Sequence, residues 1–158
     1  GNKIPNIILP GLDQDEWLGL YDVDAKYTAV IIWESTCGHC KKELPKYKDL
    51  YDTWKDKGLE IFAIGNDFDP EPWIDYVKEN NYDSWVNVSD NPLINAQDSA
   101  SALIYSGVTT LKSLNFRTTF DVFATPKVFL LDKDKNILAK QIGADQMLDL
   151  LGRLEELE

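Results

Sequence analysis

The chain is poor in cysteine, histidine and basic side chains. Its 158 residues include two cysteines, one histidine and 16 Lys and Arg against 27 Asp and Glu, for a net charge of −11. Two cysteines are too few for a disulfide framework, and without a second Cys/His pair they complete only half of a tetrahedral zinc site. Because acidic residues outnumber basic ones, we expect no extended basic surface that could neutralise the phosphates of a nucleic acid. We therefore expect no disulfide scaffold, no metal or other cofactor, and no nucleic acid as a partner.

Long apolar runs are also missing. No run approaches the ~20 residues that a helix needs to cross a bilayer, and no secretory leader opens the chain. Because the sequence begins at Gly1, we expect a targeting segment or a membrane tether to lie outside it. The aromatic content, with five Trp, seven Tyr and six Phe, predicts one domain with a substantial buried core.

Both cysteines lie in one motif, the stretch WESTCGHCKKELP over residues 33–45. They stand at C-x-x-C spacing, where a continuous apolar run gives way to a helical pattern. A strand that ends in C-x-x-C and opens a helix is the geometry of dithiol–disulfide exchange. Cys37 would lie beside the free N–H groups and positive pole of the helix, which stabilise a thiolate. Cys40 would lie one turn further in, close enough to attack a mixed disulfide. Haem attachment is not expected, because Lys41 stands where a histidine would be needed.

Hydrophobic periodicity predicts strands and helices in alternation. The predicted strands are 4–9 and 16–20, forming a hairpin around a Pro10-Gly11 turn, then 27–34, 59–65, 127–131 and 136–142; the predicted helices are 38–57, 70–80 and 145–157. Strands 27–34 and 59–65 lack polar alternation, as expected of central strands covered on both faces. With the helix between them they form a β-α-β unit, and the short polar loop before residue 136 makes the last two strands antiparallel. We predict a mostly helical segment over 91–120.

The sequence resembles the thioredoxin fold in three features beyond C-x-x-C. Trp33 lies four residues before the first cysteine, and Pro45 lies five residues after the second. Thr125-Pro126 stands at the start of a strand, where the family carries its cis-proline. The N-terminal hairpin, the run CKKELP and the hairpin LDKDKN narrow the resemblance to TlpA/ResA-like thiol–disulfide oxidoreductases of the bacterial cell envelope.

The resemblance implies an α/β thioredoxin fold, a central mixed β-sheet flanked by helices. On this basis residues 1–158 form one thioredoxin-like domain, with an N-terminal hairpin extension over 1–26 and the thioredoxin core over 27–158. The segment around 91–120 is longer than the core fold needs. We expect it to be an insertion before the cis-proline strand.

Four residues of the motif are candidate catalytic groups. Cys37 is the candidate nucleophile and Cys40 the resolving thiol; the alternative for both is an inert or statically paired cysteine. A partly protonated His39 would favour the Cys37 thiolate and make the disulfide more oxidising; otherwise it is an exposed turn residue. Glu43 shares a helix face with Cys40 and is a candidate acceptor of its proton, or else a solvated helix glutamate. In this role Glu43 would stand in for a buried aspartate of thioredoxin, whose position is occupied by Ile31 in this chain.

Three further residues are candidate substrate-binding groups. A cis peptide bond at Pro126 would leave the backbone of Thr125 free to pair with the extended chain of a substrate; a trans turn proline is the alternative. The resemblance implies that Trp33 lies beneath the active site, although a tryptophan at the end of a central strand is also common in plain cores.

The leading functional hypothesis is a thiol–disulfide oxidoreductase that acts on protein disulfides or dithiols through Cys37 and Cys40. The resemblance implies a bacterial periplasmic or cell-envelope reductase, fed by a membrane-linked thiol donor and lipid-anchored in the full-length protein. His39 favours an oxidase or isomerase instead. Peroxide reduction is disfavoured because Glu34 stands where peroxiredoxins carry a threonine. A non-catalytic binding module of a larger envelope protein is disfavoured by the intact C-x-x-C.

Overall fold

The computed structural model describes residues 1–90 and 97–158. The strands are β1 (Ile8–Pro10), β2 (Trp17–Gly19), β3 (Tyr27–Trp33), β4 (Leu59–Gly65), β5 (Val86–Ser89), β6 (Lys127–Leu131) and β7 (Ile137–Lys140). The helices are α1 (Gly38–Trp54), α2 (Pro70–Glu79), α3 (Gln97–Tyr105), α4 (Leu111–Leu114), α5 (Phe116–Thr119) and α6 (Ala144–Glu156). We predicted a mostly helical segment over 91–120. The structure confirms this prediction for residues 97–120, and residues 91–96 lie outside the described residues.

The centre of the structure is a five-stranded mixed sheet in the order β5-β4-β3-β6-β7. β3 pairs in parallel with β4, which pairs in parallel with β5, while β6 runs antiparallel to β3 and β7 antiparallel to β6. All seven residues of β3 are buried, which explains why its sequence lacks polar alternation. The carboxyl ends of β3, β4 and β5 therefore meet the start of β6 at one end of the sheet. We call this the upper end, and the opposite end, where β3 and β4 begin, the lower end.

Each face of the sheet is covered by its own layer. On one face, β3 packs against α1, α2 and α6 through apolar side chains that include Ala29, Ile31, Leu44, Trp73, Val77, Met147 and Leu151. On the other face the N-terminal segment, α4 and α5 supply Ile4, Ile7, Leu9, Leu114, Phe116 and Phe120. The sheet is therefore held between two cores, and the loops at its upper end are fixed from both sides.

Local sequence explains where the flanking helices begin. Cys37 is the N-cap of α1, and Asp69 caps α2 by accepting the N–H of Glu71 at 3.0 Å. At Gly65 the chain has no room for a side chain: an added Cβ would lie 2.5 Å from Nε1 of the buried Trp73. This close approach lets α2 pack directly on the end of β4.

Two predictions about the strands are wrong in detail. The N-terminal hairpin exists, but Pro10 pairs with Trp17, so residues 11–16 form the connection rather than a tight turn at Pro10-Gly11. The predicted strand over 4–9 is shortened because Ile4 and Ile7 are buried outside the paired strands, in the core on the face of the sheet that the N-terminal segment covers. β5 was not predicted, since the buried polar Asn87 interrupts its apolar pattern.

In the described residues, no helix combines the length and the apolar character needed to cross a membrane.

Candidate active site

The two cysteines lie together at the upper end of the sheet, at the start of α1. Both are free thiols; Cys40 is fully buried and Cys37 is partly exposed. The N–H of Cys40 donates to Sγ of Cys37 at 3.1 Å, so the first sulfur caps its own helix. This is the geometry predicted from the C-x-x-C spacing, and it leaves Cys37 as the sulfur that solvent and substrates can reach.

The two thiols differ sharply in acidity. Burial opposes ionisation of Cys37, but hydrogen bonds from the side chains of Cys40 and Thr125 and from the backbone of Cys40 and His39 outweigh it and lower its pKa below the usual 9.0. Burial, followed by its contact with Cys37, raises the pKa of Cys40 to about 12. Cys37 is therefore the sulfur that ionises more readily, and the inner thiol keeps its proton.

The loop before β6 faces Cys37 directly. The Cys37 thiol donates to the carbonyl oxygen of Thr125 at 3.5 Å, and the Thr125–Pro126 peptide bond is cis. The hydroxyl of Thr125 in turn donates to Oε1 of Glu34 at 3.4 Å. Asn66, which follows β4, donates its side-chain N–H to the same Glu34 oxygen at 3.5 Å. Glu34 thus joins the loops that follow β3 and β4 to the loop before β6.

Two buried carboxylates stabilise the same end of the sheet. Asp67 accepts the backbone N–H of Ser35 at 3.0 Å and also its hydroxyl. Asp90 accepts Nη1 of Arg117 at 2.9 Å, while Nη2 of Arg117 donates to the carbonyl of Asn66 at 3.1 Å. The loop that carries Cys37 is therefore tied to the end of β4, and α5 is tied to the ends of β4 and β5.

A pocket beside the dithiol collects two more of the predicted residues. His39 and Glu43 line a cavity of about 160 Å³ together with Tyr47 and Pro126. His39 is exposed, and the Glu43 carboxylate forms an ion pair with Lys46 at 3.3 Å. Burial, followed by the nearby Glu43 charge, raises the pKa of Tyr47 to about 12. Glu43 therefore faces this pocket, on the side of α1 where Tyr47 lies.

Trp33 lies beneath the motif, fully buried. Its ring is 5.6 Å from that of Tyr76 and 6.3 Å from that of Tyr82. Its indole nitrogen has no hydrogen-bond partner in the part of the chain that the structure describes. The side chain does not reach the surface, so it supports the motif from below rather than contacting solvent.

The structure thus brings Cys37, Cys40 and Thr125 to one point and places His39 and Glu43 around the adjacent pocket. Sequence analysis missed the carboxylate of Asp67 and its bond to Ser35. A signal was present, because Asp67 directly follows a buried strand and the carboxyl ends of neighbouring parallel strands meet at the same end of a sheet.

A dithiol at a helix N-terminus, facing a cis-proline loop across the end of a mixed sheet, defines a thiol–disulfide oxidoreductase of the thioredoxin fold. The chain belongs to the AhpC/TSA family, whose model matches residues 1–140. It is 28% identical over 157 residues to the thiol-disulfide oxidoreductase ResA of Bacillus cereus, covering 99% of this chain and 78% of that protein.

Solved structures agree with this assignment. A domain of a possible thiol-disulfide isomerase from Cytophaga hutchinsonii matches with a TM-score of 0.79 and 33% identity, over 99% of this chain and 92% of that one. The thioredoxin domain of a thiol-disulfide oxidoreductase from Bacteroides vulgatus shares the fold, with a TM-score of 0.73 at 23% identity, over 98% of this chain and 96% of that one. The predicted fold and the predicted class of enzyme are confirmed.

Proposed function

We propose that the protein reduces disulfide bonds of protein clients in the periplasm or cell envelope of a bacterium. Cys37 is the attacking thiolate and Cys40 the resolving thiol. The observation that carries the exchange chemistry is the placement of the pair, with Cys37 partly exposed at the start of α1 and Cys40 fully buried behind it. The reducing direction rests on the resemblance to TlpA/ResA-like proteins. The location, a membrane-linked thiol donor and a lipid anchor outside this sequence rest on the resemblance to TlpA/ResA-like proteins.

The reaction follows from this arrangement in two exchanges. The Cys37 thiolate attacks one sulfur of the client disulfide, forms a mixed disulfide with it and releases the other client sulfur as a thiolate. Cys40 then loses its proton and attacks Sγ of Cys37, which releases the second client thiolate and leaves a Cys37–Cys40 disulfide. Two electrons have passed to the client, and the membrane-linked donor returns them to the protein.

The second exchange needs a base, because Cys40 is buried and burial raises the pKa of its thiol. Glu43 is the proposed proton acceptor, one turn after Cys40 on α1, acting through the pocket that it lines with His39. His39 is the proposed tuning residue, since a protonated imidazole near the first sulfur favours its thiolate.

The backbone of Thr125, before Pro126, is the proposed contact for the client chain. Its support is the 3.5 Å approach of the Thr125 carbonyl to the Cys37 sulfur, which brings any chain bonded to that sulfur against this loop. Trp33 contributes by packing under the motif, because it is fully buried.

Insulin reduction with dithiothreitol as the electron source tests the activity. We expect the wild type to accelerate precipitation of the insulin B chain, and Cys37→Ser to abolish the acceleration. Cys40→Ser should instead accumulate a mixed disulfide with the client, detectable by mass. Equal rates for the wild type and Cys37→Ser would overturn the proposal.

The reduction potential of the Cys37/Cys40 couple tests the direction. Equilibration in glutathione or dithiothreitol buffers, followed by thiol trapping, should give a reduction potential near that of thioredoxin, about −270 mV. A value between roughly −180 and −120 mV would instead identify an oxidase or isomerase.

A further inference from the structure

Glu34 is a partly buried carboxylate between β3 and the dithiol, and the exchange chemistry gives it no role. The backbone N–H of Cys37 donates to the carbonyl of Glu34 at 3.2 Å, so these two residues are the first and last of a four-residue turn. A turn of this kind holds its end Cα atoms within about 7 Å of each other. The backbone of the loop therefore fixes Glu34 beside the nucleophile.

The Glu34 side chain and the Cys37 sulfur both contact Thr125, in the loop before β6. Oε1 of Glu34 accepts the Thr125 hydroxyl at 3.4 Å, and the Cys37 thiol donates to the Thr125 carbonyl at 3.5 Å. Asn66 donates its side-chain N–H to the same carboxylate oxygen at 3.5 Å, and the hydroxyl of Thr36 donates to Oε2 at 3.4 Å. Two hydrogen bonds and one threonine thus join the carboxylate to the sulfur, a separation of no more than about 10 Å.

All three of these donors to the Glu34 carboxylate are neutral groups. Across residues 1–90 and 97–158, no lysine, arginine or histidine forms an ion pair with it. Arg117, on α5, is paired with Asp90 at 2.9 Å, and Lys46, on α1, is paired with Glu43 at 3.3 Å. The charge of the Glu34 carboxylate is therefore not cancelled by a cation in these ranges.

Other titratable groups lie close to Cys37. His39 follows it by two residues, is exposed, and when protonated acts in the opposite sense to a carboxylate. The carboxylate of Asp67 is buried and bonded to Ser35. The remaining titratable side chains around the dithiol are Cys40, Lys41, Glu43 and Tyr76. Among these groups, Glu34 is the carboxylate bonded to the residue that contacts the sulfur.

A charge at this place acts on one redox state only. Above the pKa of the Cys37 thiol, reduction of the Cys37–Cys40 disulfide adds two electrons and one proton, and leaves a thiolate on Cys37 and a thiol on Cys40. The disulfide carries no charge, so a nearby carboxylate raises the free energy of the reduced form alone. At a separation of up to about 10 Å a unit charge changes such an equilibrium roughly two- to tenfold, depending on how strongly water screens it.

Resting on the proposed function, we infer that Glu34 lowers the reduction potential of the Cys37–Cys40 couple and thereby favours transfer of electrons to a client disulfide. It opposes His39, which favours the reduced form of the couple. Glu34 does not touch the client, so it is a tuning residue rather than a catalytic one. Whereas Glu43 acts on the rate at which Cys40 resolves the mixed disulfide, Glu34 acts on the equilibrium between disulfide and dithiol.

The reduction potentials of the wild type and of Glu34→Gln test this inference. Glutamine has nearly the size of glutamate and keeps an oxygen for the Thr125 hydroxyl, so the charge is removed and the contact is kept. Both proteins are equilibrated in dithiothreitol buffers of graded ratio above the pKa of Cys37, and the oxidised fraction is measured by thiol trapping. We expect the equilibrium of Glu34→Gln to shift about threefold toward the dithiol, which makes its potential about 14 mV more oxidising.

The dependence on pH separates a charge effect from a change of structure. Well below the pKa of Cys37 both thiols of the reduced form are neutral, so the two proteins should have the same potential. As the pH rises through this pKa the two potentials should separate. The pH midpoint for alkylation of Cys37 should likewise be lower in Glu34→Gln, by about half a pH unit, as a threefold shift requires.

Two further variants serve as controls. Glu34→Asp keeps the charge on a shorter side chain and should retain most of the wild-type equilibrium constant. Glu79→Gln removes an exposed charge at the end of α2 and should leave the equilibrium unchanged.

The inference is overturned if Glu34→Gln has a potential equal to or below that of the wild type, or if the difference does not depend on pH. It is also overturned if Glu34→Asp or Glu79→Gln shifts the equilibrium as far as Glu34→Gln does. The potentials are measured without a client. A wild type that fails to reduce insulin would therefore overturn the proposed function and not the assignment of Glu34.

Discussion

At the lower end of the sheet the ion pairs lie in solvent, whereas at the upper end carboxylates are buried and phenylalanines are exposed. The lower end follows the usual division of a folded protein except at Lys135, which is buried and donates to the carbonyl of Val23 at 2.7 Å. Lys26 pairs with Glu158 and Lys57 with Glu155, with all four side chains about half exposed. Such pairs contribute little to stability, because water already solvates both partners.

The upper end reverses this division. Asp67 and Asp90 are buried and hydrogen-bonded, while Phe68 and Phe123 project into water. Buried polar groups and exposed apolar groups are the informative exceptions in a folded chain. The comparison shows that buried carboxylates hold the loops around Cys37 in place at the upper end, while two phenylalanine side chains remain exposed there.

The largest expected effect is the difference in reactivity between the two cysteines. A thiol with a pKa of about 12 is ionised to about one part in ten thousand at pH 8. The pKa of Cys37 lies below 9.0, so its thiolate is at least about a thousandfold more abundant at that pH. Alkylation of the reduced protein with iodoacetamide, mapped by peptide mass, should therefore label Cys37 far faster than Cys40.

The pH profile of this alkylation sharpens the same prediction. Only the thiolate reacts, so the rate at Cys37 should rise with pH and level off, with a midpoint below 9.0. A midpoint at or above 9.0, or comparable labelling of both cysteines, would contradict the assignment of Cys37 as the nucleophile.

Replacing Gly65 should give the next largest effect. An added Cβ would meet Nε1 of Trp73 at 2.5 Å, and this indole is fully buried against the end of β4. We expect Gly65→Ala to lower the free energy of unfolding by about 1–3 kcal/mol, as overpacking of a core does. Urea denaturation measures the change.

Gly152→Ala is the matched control for that substitution. Gly152 lies inside α6 with no atom within 4 Å of an added Cβ. Because alanine costs less conformational entropy than glycine in a helix, this variant should be more stable by about 0.5–1 kcal/mol. A Gly65→Ala protein as stable as the wild type would show that α2 can move away from β4.

Much of the fold could be predicted from local pattern. The buried strands at 27–34 and 59–65, and helices α1, α2 and α6, follow from apolar periodicity within single segments. The short strand β5 was not predicted because Asn87 is buried and polar; its side-chain N–H groups donate to the carbonyls of Tyr82 and Trp85 at 2.8 and 3.1 Å. Apolar periodicity does not indicate a strand in which one of the buried residues is polar.

The candidate site likewise contains one contact that the sequence predicts and one that it does not. The contact of Cys37 with Cys40 is set by helix geometry and was predictable from spacing. The bond between Asp67 and Ser35 spans 32 residues and exists only because β3 and β4 end side by side. Long-range polar pairs of this kind depend on the register of the sheet, which the sequence does not display.

Removing the Asp67 carboxylate should have a moderate effect at the upper end. Asp67→Ala leaves the buried N–H and hydroxyl of Ser35 without their acceptor, which costs about 1–2 kcal/mol. Because Ser35 lies two residues before Cys37, we also expect slower insulin reduction. Asp67→Asn keeps one oxygen to accept the Ser35 N–H and should lose less of both; equal losses in the two variants would show that the acceptor oxygen is not what matters.

The smallest expected effect lies at the lower end, and it is the one that tests the comparison most directly. Lys26→Ala removes the exposed ion pair with Glu158, so the free energy of unfolding should change by less than about 1 kcal/mol, and the change should shrink further in high salt. Insulin reduction should be unaffected, since Lys26 lies at the other end of β3 from the dithiol. A loss as large as that of Asp67→Ala would mean that the two ends of the sheet are equally constrained, and that burial of carboxylates at the upper end is not a special feature of the site.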